Sequence, residues 1–246
     1  ADGLPNEFVW HIQSGADGVL WFACGDGLAR YDPGSVVSYT VADGLANDLV
    51  QRIEVATDHS LWLASRKPGI THYDKKTFLK APGSEDLAVG NVGMRIDSQG
   101  VVWAGTSGTR AQGFYRWNGI AFKKVDDGGA TLKYISGIEF NPDGTMWITC
   151  LPDTGPVKAD GLWRYDGTRF YNLSPQIGLT GRVLTAVFRD SSGILWLGTA
   201  RTGLLRYDGK ELLSFSKQHG LPDGNVPRIS QDSTGDLWFS VVGHGA

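Results

Sequence analysis

The stretch that decides the fold runs from Val183 to Phe215 and reads VLTAVFRDSSGILWLGTARTGLLRYDGKELLSF. It holds four short runs that favour β-strands, at 183–189, 194–199, 203–208 and 212–215, with turns rich in Gly, Asp and Ser between them. Connections this short join antiparallel neighbours, because a parallel pair needs a long crossover. The stretch therefore predicts one four-stranded antiparallel meander.

The same pattern recurs along the chain. An apolar residue followed by Trp forms a regular series of six, about 40 to 50 residues apart, which is the period of a propeller blade or a solenoid. These tryptophans are Trp21, Trp62, Trp103, Trp147, Trp196 and Trp238. Asp-x-x-Gly turns precede several of them, as at Asp190–Gly193, and Asp or Asn follows an aromatic residue at the end of each third run, as at Tyr207-Asp208.

We predict an all-β protein, a β-propeller of four-stranded antiparallel blades with five complete blades plus a partial sixth in this chain. Residues 1–246 would form a single propeller domain or a fragment of a larger propeller. The repeats span approximately 1–41, 42–80, 81–125, 126–175, 176–216 and 217–246, the last one partial. First-strand residues Ile12, Ile53, Ile96 and Ile229 are expected to point into the sheets, and the repeated Trp positions are expected to pack between them.

Composition limits the possible functions. Among 246 residues, 23 Lys and Arg stand against 26 Asp and Glu, for a net charge of -3. A nucleic-acid binder or a membrane-surface protein needs a strongly basic face, so we expect no nucleic-acid partner and no membrane contact within this chain. No apolar run approaches the ~18 residues of a membrane span. Motifs for nucleophilic, phosphate-binding or zinc-dependent catalysis are missing too, and we expect no cofactor and no metal.

The repeated motifs resemble the two-component regulator propeller repeat. The Gly-Leu-Pro element of that repeat is matched by Gly3-Leu4-Pro5 and Gly220-Leu221-Pro222, with Gly44-Leu45-Ala46 as a variant. The Asp-x-x-Gly turns, Leu-Trp, Gly-Thr, Gly-Leu and Arg-Tyr-Asp match the rest of the pattern, over essentially the whole chain. The resemblance implies a sensor β-propeller of bacterial signalling proteins, in the periplasmic or extracellular region. It further implies a non-catalytic module that senses a small molecule or an oligosaccharide, and a signalling output domain outside this chain.

Loops between second and third strands supply the first candidate site. These loops are longer in the third and fourth repeats, and extra residues on one face of a repeat protein are often functional. They also carry cations at corresponding places, which a closed ring would gather into a positive mouth for an acidic oligosaccharide or a small anion. The alternative is solvated loop charge partnered by Asp26, Asp153 and Asp160. The predicted ligand-binding residues are Arg66, Lys67, Arg110, Gln112, Asp153, Lys158, Arg201 and His244.

First strands supply a second candidate surface, a central channel. Polar residues alternate there with apolar ones, so they should face the water-filled side. They could contact a ligand, or they could be solvated and paired with Glu54 or Glu139. The channel residues are His11, Arg52, Arg95 and Arg228.

Two cysteines, Cys24 and Cys150, occupy equivalent places just after the second-strand Trp, where other repeats have small residues such as Ala64 and Gly198. Positions three blades apart are too distant for a disulfide, so we expect free thiols. Two alternative functions stay open. One is a protein-interaction scaffold. The other is a lyase similar to the streptogramin lyase family, in which His11 or His244 would act as the base.

Overall fold

The computed structural model describes residues 3–15, 18–89, 93–106, 112–130, 132–152, 161–222 and 224–244. It is all-β, with five four-stranded antiparallel sheets and one two-stranded sheet. In each four-stranded sheet the strands are hydrogen-bonded in their sequence order, as in a propeller blade. Closure of the sheets into a ring remains a prediction.

The strands match the repeats in order and number. Sheet 1 contains β1 (Val9–Ser14), β2 (Leu20–Cys24), β3 (Gly27–Asp32) and β4 (Ser35–Tyr39). Sheet 2 contains β5 (Val50–Val55), β6 (Leu61–Ser65), β7 (Ile70–Tyr73) and β8 (Phe78–Lys80). Sheet 3 contains β9 (Met94–Ile96), β10 (Val102–Gly105), β11 (Phe114–Trp117) and β12 (Phe122–Lys124).

The remaining strands continue the series. Sheet 4 contains β13 (Ile135–Phe140), β14 (Met146–Cys150), β15 (Gly161–Tyr165) and β16 (Phe170–Asn172). Sheet 5 contains β17 (Leu184–Arg189), β18 (Leu195–Thr199), β19 (Leu204–Tyr207) and β20 (Leu212–Phe215). Sheet 6 contains β21 (Arg228–Gln231) and β22 (Leu237–Ser240). Short 3-10 turns stand in two of the linkers, at Val41–Asp43 and Lys217–His219.

The chain divides into two compact units, residues 1–125 with sheets 1 to 3 and residues 126–246 with sheets 4 to 6. Within each unit the first strands of consecutive sheets lie against one another: β1 with β5 and β5 with β9, then β13 with β17 and β17 with β21. In an antiparallel meander, the first-to-second and third-to-fourth connections share one end of the sheet. We call this the turn end, and the opposite end, which holds the second-to-third connection, the loop end.

Apolar side chains between neighbouring sheets form the core. Trp21 and Ala23 of sheet 1 pack with Ile53 and Leu63 of sheet 2, and all four are buried. Trp62 of sheet 2 packs in turn with residues of sheet 3. The Trp face of each sheet therefore meets the next sheet in its unit, and the opposite face meets the preceding one. Burial of this apolar area is the main stabilising term of such a sheet pair.

Two expected core positions are exposed. Ile12 is 55% exposed and Trp238 is 55% exposed. The face of sheet 1 that carries Ile12 is the one that would meet a preceding sheet, and sheet 1 is the first sheet of its unit. Trp238 lies on the face of sheet 6 that would meet a following sheet, and sheet 6 is the last sheet of its unit. The prediction of burial was wrong at these positions because it depends on a neighbouring sheet.

The Asp-x-x-Gly turn has a second role besides closing a hairpin. In the fifth repeat, Asp190 Oδ1 accepts the backbone N–H groups of Ser192 and Ile194, and Oδ2 accepts the indole N–H of Trp196 at 2.7 Å. The same indole bond joins Trp103 to Asp97 at 2.8 Å. In the fifth repeat the aspartate thus fixes both the turn and the tryptophan that packs with residues of sheet 6.

A close approach of the backbone requires glycine at the start of the third strand. Gly27 and Gly203 have positive φ angles of 142° and 78°. A Cβ on either residue would stand 2.3 Å from a carbonyl oxygen at the end of the fourth strand, that of Tyr39 or of Phe215. The Gly-Leu pair of the repeat therefore follows from backbone geometry.

Both cysteines are buried and free, as expected. Burial raises the pKa of the Cys24 thiol. The strand register corrects the expected equivalences, because Cys24 pairs with Val9 in the way that Ser65 pairs with Val50 and Thr199 with Leu184. The equivalent residues are therefore Ser65 and Thr199 rather than Ala64 and Gly198. Within the described residues no helix is long and apolar enough to cross a membrane.

Candidate functional site

The loop end of sheet 2 presents two cations. Arg66 and Lys67 follow β6 directly, and both are exposed. The backbone N–H of Arg66 donates to Leu49 in the linker before β5, at 3.3 Å, and Gly69 donates to Leu87 in the following linker, at 3.0 Å. The linkers and the β6–β7 turn therefore share this end of the sheet, as the sequence predicted. Neither cation forms an ion pair with any residue that the structure describes.

Sheet 3 contributes one described candidate at its loop end. Gln112 is partly buried and precedes Gly113, whose N–H donates to the hydroxyl of the buried Thr106 at 3.0 Å. This bond closes the base of the β10–β11 connection. Arg110, in the same connection, lies outside the described residues, as do Asp153 and Lys158 in the corresponding connection of sheet 4.

In the C-terminal unit, the loop end of sheet 5 holds Arg201 and a cation that the sequence analysis missed. Thr199 is buried, and its hydroxyl accepts the N–H of Thr202 at 2.9 Å. Arg182 Nη1 donates to the hydroxyl of Thr202 at 3.4 Å, so a second guanidinium stands at the loop of the exposed Arg201. Neither arginine has a carboxylate partner in the described part of the chain. Only the linker motif Gly181-Arg182, immediately before β17, hinted at this placement.

His244 follows the last described strand and is exposed. Its backbone N–H donates to Val241 at 2.9 Å, so it sits in a turn after β22. Of the eight predicted ligand-binding residues, the structure therefore places Arg66, Lys67, Gln112 and Arg201 at second-to-third connections, and His244 after the second strand of sheet 6. No side-chain hydrogen bond joins any two of these five described residues.

The predicted channel residues divide into two groups. Arg52 on β5 is buried rather than solvated, and its Nε donates to Glu54 Oε1 at 2.7 Å. Arg95 on β9 lies 3.7 Å from the same carboxylate oxygen. Glu54 therefore serves two arginines from adjacent first strands, which is the paired alternative expected from the sequence. His11 on β1 and Arg228 on β21 are partly buried.

Other titratable groups have ordinary structural explanations. His72 stacks on Trp62 with ring centroids 4.3 Å apart, and burial lowers its pKa. Asp74 caps the following turn through the N–H groups of Lys76 and Thr77, which lowers its pKa. No group of three or more His, Cys, Asp or Glu side chains that could hold a metal ion occurs among the residues with described positions.

No protein-family model matches the sequence, and no curated protein matches it. Solved structures do match. One is the extracellular domain of BT3049 from B. thetaiotaomicron, assigned as a hybrid two component system, at 22% identity and a TM-score of 0.77. The match covers 98% of this chain and 32% of that one. Another is the extracellular domain of BT4673 from the same organism, assigned as a one component system, at 17% identity and a TM-score of 0.73, covering 95% of this chain and 33% of that one.

A third similar structure is virginiamycin B lyase from Staphylococcus aureus, at 15% identity and a TM-score of 0.71. The match covers 94% of this chain and 76% of that one. The chain thus spans about a third of the length of the two extracellular domains. At these identities the likeness shows a propeller-type fold and nothing finer, so the repeat family named above stays a resemblance.

Proposed function

We propose that this chain is a non-catalytic ligand-sensing β-propeller module of a bacterial signalling protein, and that its loop end binds an acidic oligosaccharide or a small anion. The residues proposed to bind are Arg66, Lys67, Arg110, Gln112, Asp153, Lys158, Arg182, Arg201 and His244. The proposal includes a periplasmic or extracellular location and a signalling output domain outside this chain.

One observation carries the proposal: the loop end of sheet 5 holds Arg201 in the β18–β19 connection and Arg182 in the linker before β17, and neither has a carboxylate partner among the described residues. A guanidinium that is held in place by a hydroxyl keeps most of its donors free for an anion. The exposed pair Arg66 and Lys67 supplies the same chemistry at the loop end of sheet 2. Recurrence of unpaired cations at one kind of connection favours recognition over scattered surface charge.

The similar structures support the signalling context by analogy. Two of them are extracellular domains of proteins assigned as one or two component systems. A shared propeller fold is compatible with many functions, so the ligand class rests on the cations and not on the fold. Lyase activity is the alternative that the third similar structure represents.

The test is a binding measurement with oligogalacturonate as the acidic probe and a neutral oligosaccharide of the same length as its comparison. We expect calorimetric binding of the acidic probe alone, with no change in the probe after long incubation. Arg182→Glu and Arg201→Glu should each weaken binding at least about tenfold, because each replaces an attraction by a repulsion. Lys123→Glu is the matched control, since Lys123 is exposed on the outer strand β12.

Unchanged affinity in both arginine variants would contradict the proposed site. Consumption of the probe would indicate an enzyme instead of a sensor. Equal binding of the neutral oligosaccharide would show that the cations do not determine the affinity.

A further inference from the structure

The turn end of the C-terminal unit contains a cleft between sheets 4 and 5. Its volume is about 470 Å³, within the usual range for small-molecule sites. Trp147, Leu195 and Tyr207 supply apolar surface to its wall. The charged and polar residues that line it are Asn141, Asp143, Arg164, Arg189 and Asp208. This cleft lies at the opposite end of the sheets from the loop-end cations.

Arg164 is the first departure from the repeat in this cleft. In the first and fifth repeats the corresponding arginine pairs with the aspartate two residues later, Arg30 with Asp32 at 2.7 Å and Arg206 with Asp208 at 3.4 Å. In the fourth repeat that aspartate is Asp166, and its carboxylate accepts hydrogen bonds from other groups.

Asp166 is occupied by its own turn and by a tyrosine. Its Oδ1 accepts the N–H groups of Thr168 and Arg169, and its Oδ2 accepts the hydroxyl of Tyr171 at 2.9 Å. Arg164 is left with one contact to Asp143, at 3.9 Å, and with its guanidinium carbon 5.8 Å from the centre of the Trp147 ring. Its Nε is buried without a hydrogen-bond partner among the described residues. A buried donor of this kind is costly unless something accepts from it.

Asn141 is the second departure. The third, fifth and sixth repeats place an aspartate at this turn position, where its carboxylate accepts the indole N–H of the tryptophan. In the fourth repeat the neutral Asn141 takes over this role and accepts from Trp147 at 3.2 Å. The turn keeps one carboxylate but at another position, because Asp143 stands where the third, fifth and sixth repeats have Gln99, Ser192 and Thr234. The charge is therefore moved away from the indole and lies 3.9 Å from Arg164.

Arg189 is the third departure. It is the residue of β17 that pairs with Leu195, and the corresponding positions of the other first strands hold Ser14, Val55, Ile96, Phe140 and Gln231. A side chain at this position can reach the turn of the preceding sheet, because Gln231 of sheet 6 accepts the N–H of Ser191 at 2.9 Å. Arg189 is the one cation in the series, and it forms no ion pair within the described ranges.

The two carboxylates of the cleft contact groups other than Arg189. Asp143 accepts the N–H and the hydroxyl of Thr145, and its contact to Arg164 is long. Asp208 accepts the N–H groups of Lys210 and Glu211 and pairs with Arg206. Neither carboxylate forms an ion pair with Arg189 in the described part of the chain.

We propose that this cleft is a second binding site, for the carboxylate group of a small organic acid, with Arg164 and Arg189 as its two cationic ligands. The guanidinium fork matches a carboxylate, and the apolar wall accommodates the remainder of the molecule. Tyr171 is a positioning residue, because its hydroxyl holds Asp166 away from Arg164. The proposal is independent of the loop-end site.

The test is a titration with sodium glucuronate, followed by the indole N–H resonances of the tryptophans in nitrogen-15 NMR spectra. Trp147→Phe identifies the resonance of Trp147. We expect that resonance to shift saturably with glucuronate and to stay in place with glucose. Acetate is a third arm: binding equal to that of glucuronate indicates that any small carboxylate suffices, and weaker binding indicates an acidic sugar.

Three variants test the assigned roles. Arg164→Gln and Arg189→Gln should each weaken glucuronate binding by roughly tenfold or more. Tyr171→Phe removes only an exposed hydroxyl and should weaken binding several-fold, because Asp166 becomes free to pair with Arg164. Arg116→Gln is the matched control, since Arg116 lies over the Trp103 ring at 5.3 Å in the N-terminal unit.

Binding that is unchanged in both arginine variants overturns the proposal, as does an equal response to glucose. Circular dichroism identifies variants that fail to fold, and Tyr171→Phe then carries the test because its change lies at the surface. Arg201→Glu should leave this titration unchanged, so failure here and failure of the loop-end site are distinguishable.

Discussion

Asp190 offers the sharpest test of how each repeat is held together. The aspartate is buried, and it accepts two turn N–H groups and the indole N–H of Trp196. A hydrogen bond to a charged acceptor contributes about 1.5–3 kcal/mol net, and neighbouring bonds are not additive. We expect Asp190→Ala to lower the free energy of unfolding by about 3 kcal/mol. This corresponds to a fall in melting temperature of roughly 10 °C.

The fourth repeat indicates what asparagine would do at this position. There Asn141 Oδ1 accepts the indole N–H, while Asn141 Nδ2 donates to the hydroxyl of Thr145 at 2.8 Å. The fifth repeat has Ile194 in the place of Thr145, so the amide introduced by Asp190→Asn would have no acceptor. We expect Asp190→Asn to cost about 2 kcal/mol, and the added Ile194→Thr change to recover about 1 kcal/mol of it.

Urea unfolding followed by tryptophan fluorescence and circular dichroism measures these differences. Glu211→Gln is the control, because Glu211 is an exposed carboxylate in the same sheet. A loss below about 1 kcal/mol for Asp190→Ala would refute the argument that the turn aspartate fixes the tryptophan. If Ile194→Thr recovers no stability, the hydrogen bond from Asn141 to Thr145 does not explain why the fourth repeat tolerates asparagine.

Three further changes test other parts of the fold. Glu54→Gln should lower the unfolding free energy by about 2–3 kcal/mol in urea titrations, because the buried Arg52 loses its carboxylate partner; an unchanged urea midpoint would contradict this. Thr234→Val should raise the pKa of Asp232 from about 2 toward 3.8 in a carbon-13 NMR titration, since the Thr234 hydroxyl is the main cause of the lowered pKa. A carboxyl pKa that is lowered in the folded state stabilises above its unfolded value, so the stability gap between wild type and this variant should be complete above about pH 4 and shrink as the pH falls toward 2. Gly203→Ala should cost at least about 1 kcal/mol in thermal unfolding, because alanine meets a backbone carbonyl and a positive φ; full stability would show that the third strand can shift.

The sequence was sufficient for features that depend on local pattern. The four strands of the fifth repeat were expected at 183–189, 194–199, 203–208 and 212–215, and they lie within a residue or two of those bounds. Strand alternation, turn glycines and the recurring tryptophans are all local signals, and each was repeated five or six times. Repetition removes most of the ambiguity that a single short apolar run carries.

Features that depend on a neighbouring sheet were missed. Ile12 and Trp238 fit the pattern of buried residues and are exposed, since burial requires a sheet on the correct side. Arg182 was overlooked because its place at the Arg201 loop follows from the path of a linker, which has no periodicity. Arg52 was expected to face water, but the carboxylate of Glu54 allows it to be buried. In each case the missing information was the identity of the neighbour in space.

A repeated fold also provides its own comparison for function. A residue that serves packing recurs, as the tryptophan does in all six repeats and the turn aspartate does in three of them. Asn141 and Arg189 occur once in their series, and in the fourth repeat Tyr171 occupies the aspartate that pairs with arginine in the first and fifth. Arg189 adds a cation to the cleft, and Tyr171 engages the aspartate that would otherwise pair with Arg164 of the same cleft. Packing alone gives no reason for two arginines without close carboxylate partners to line one cleft, whereas an anionic ligand requires them.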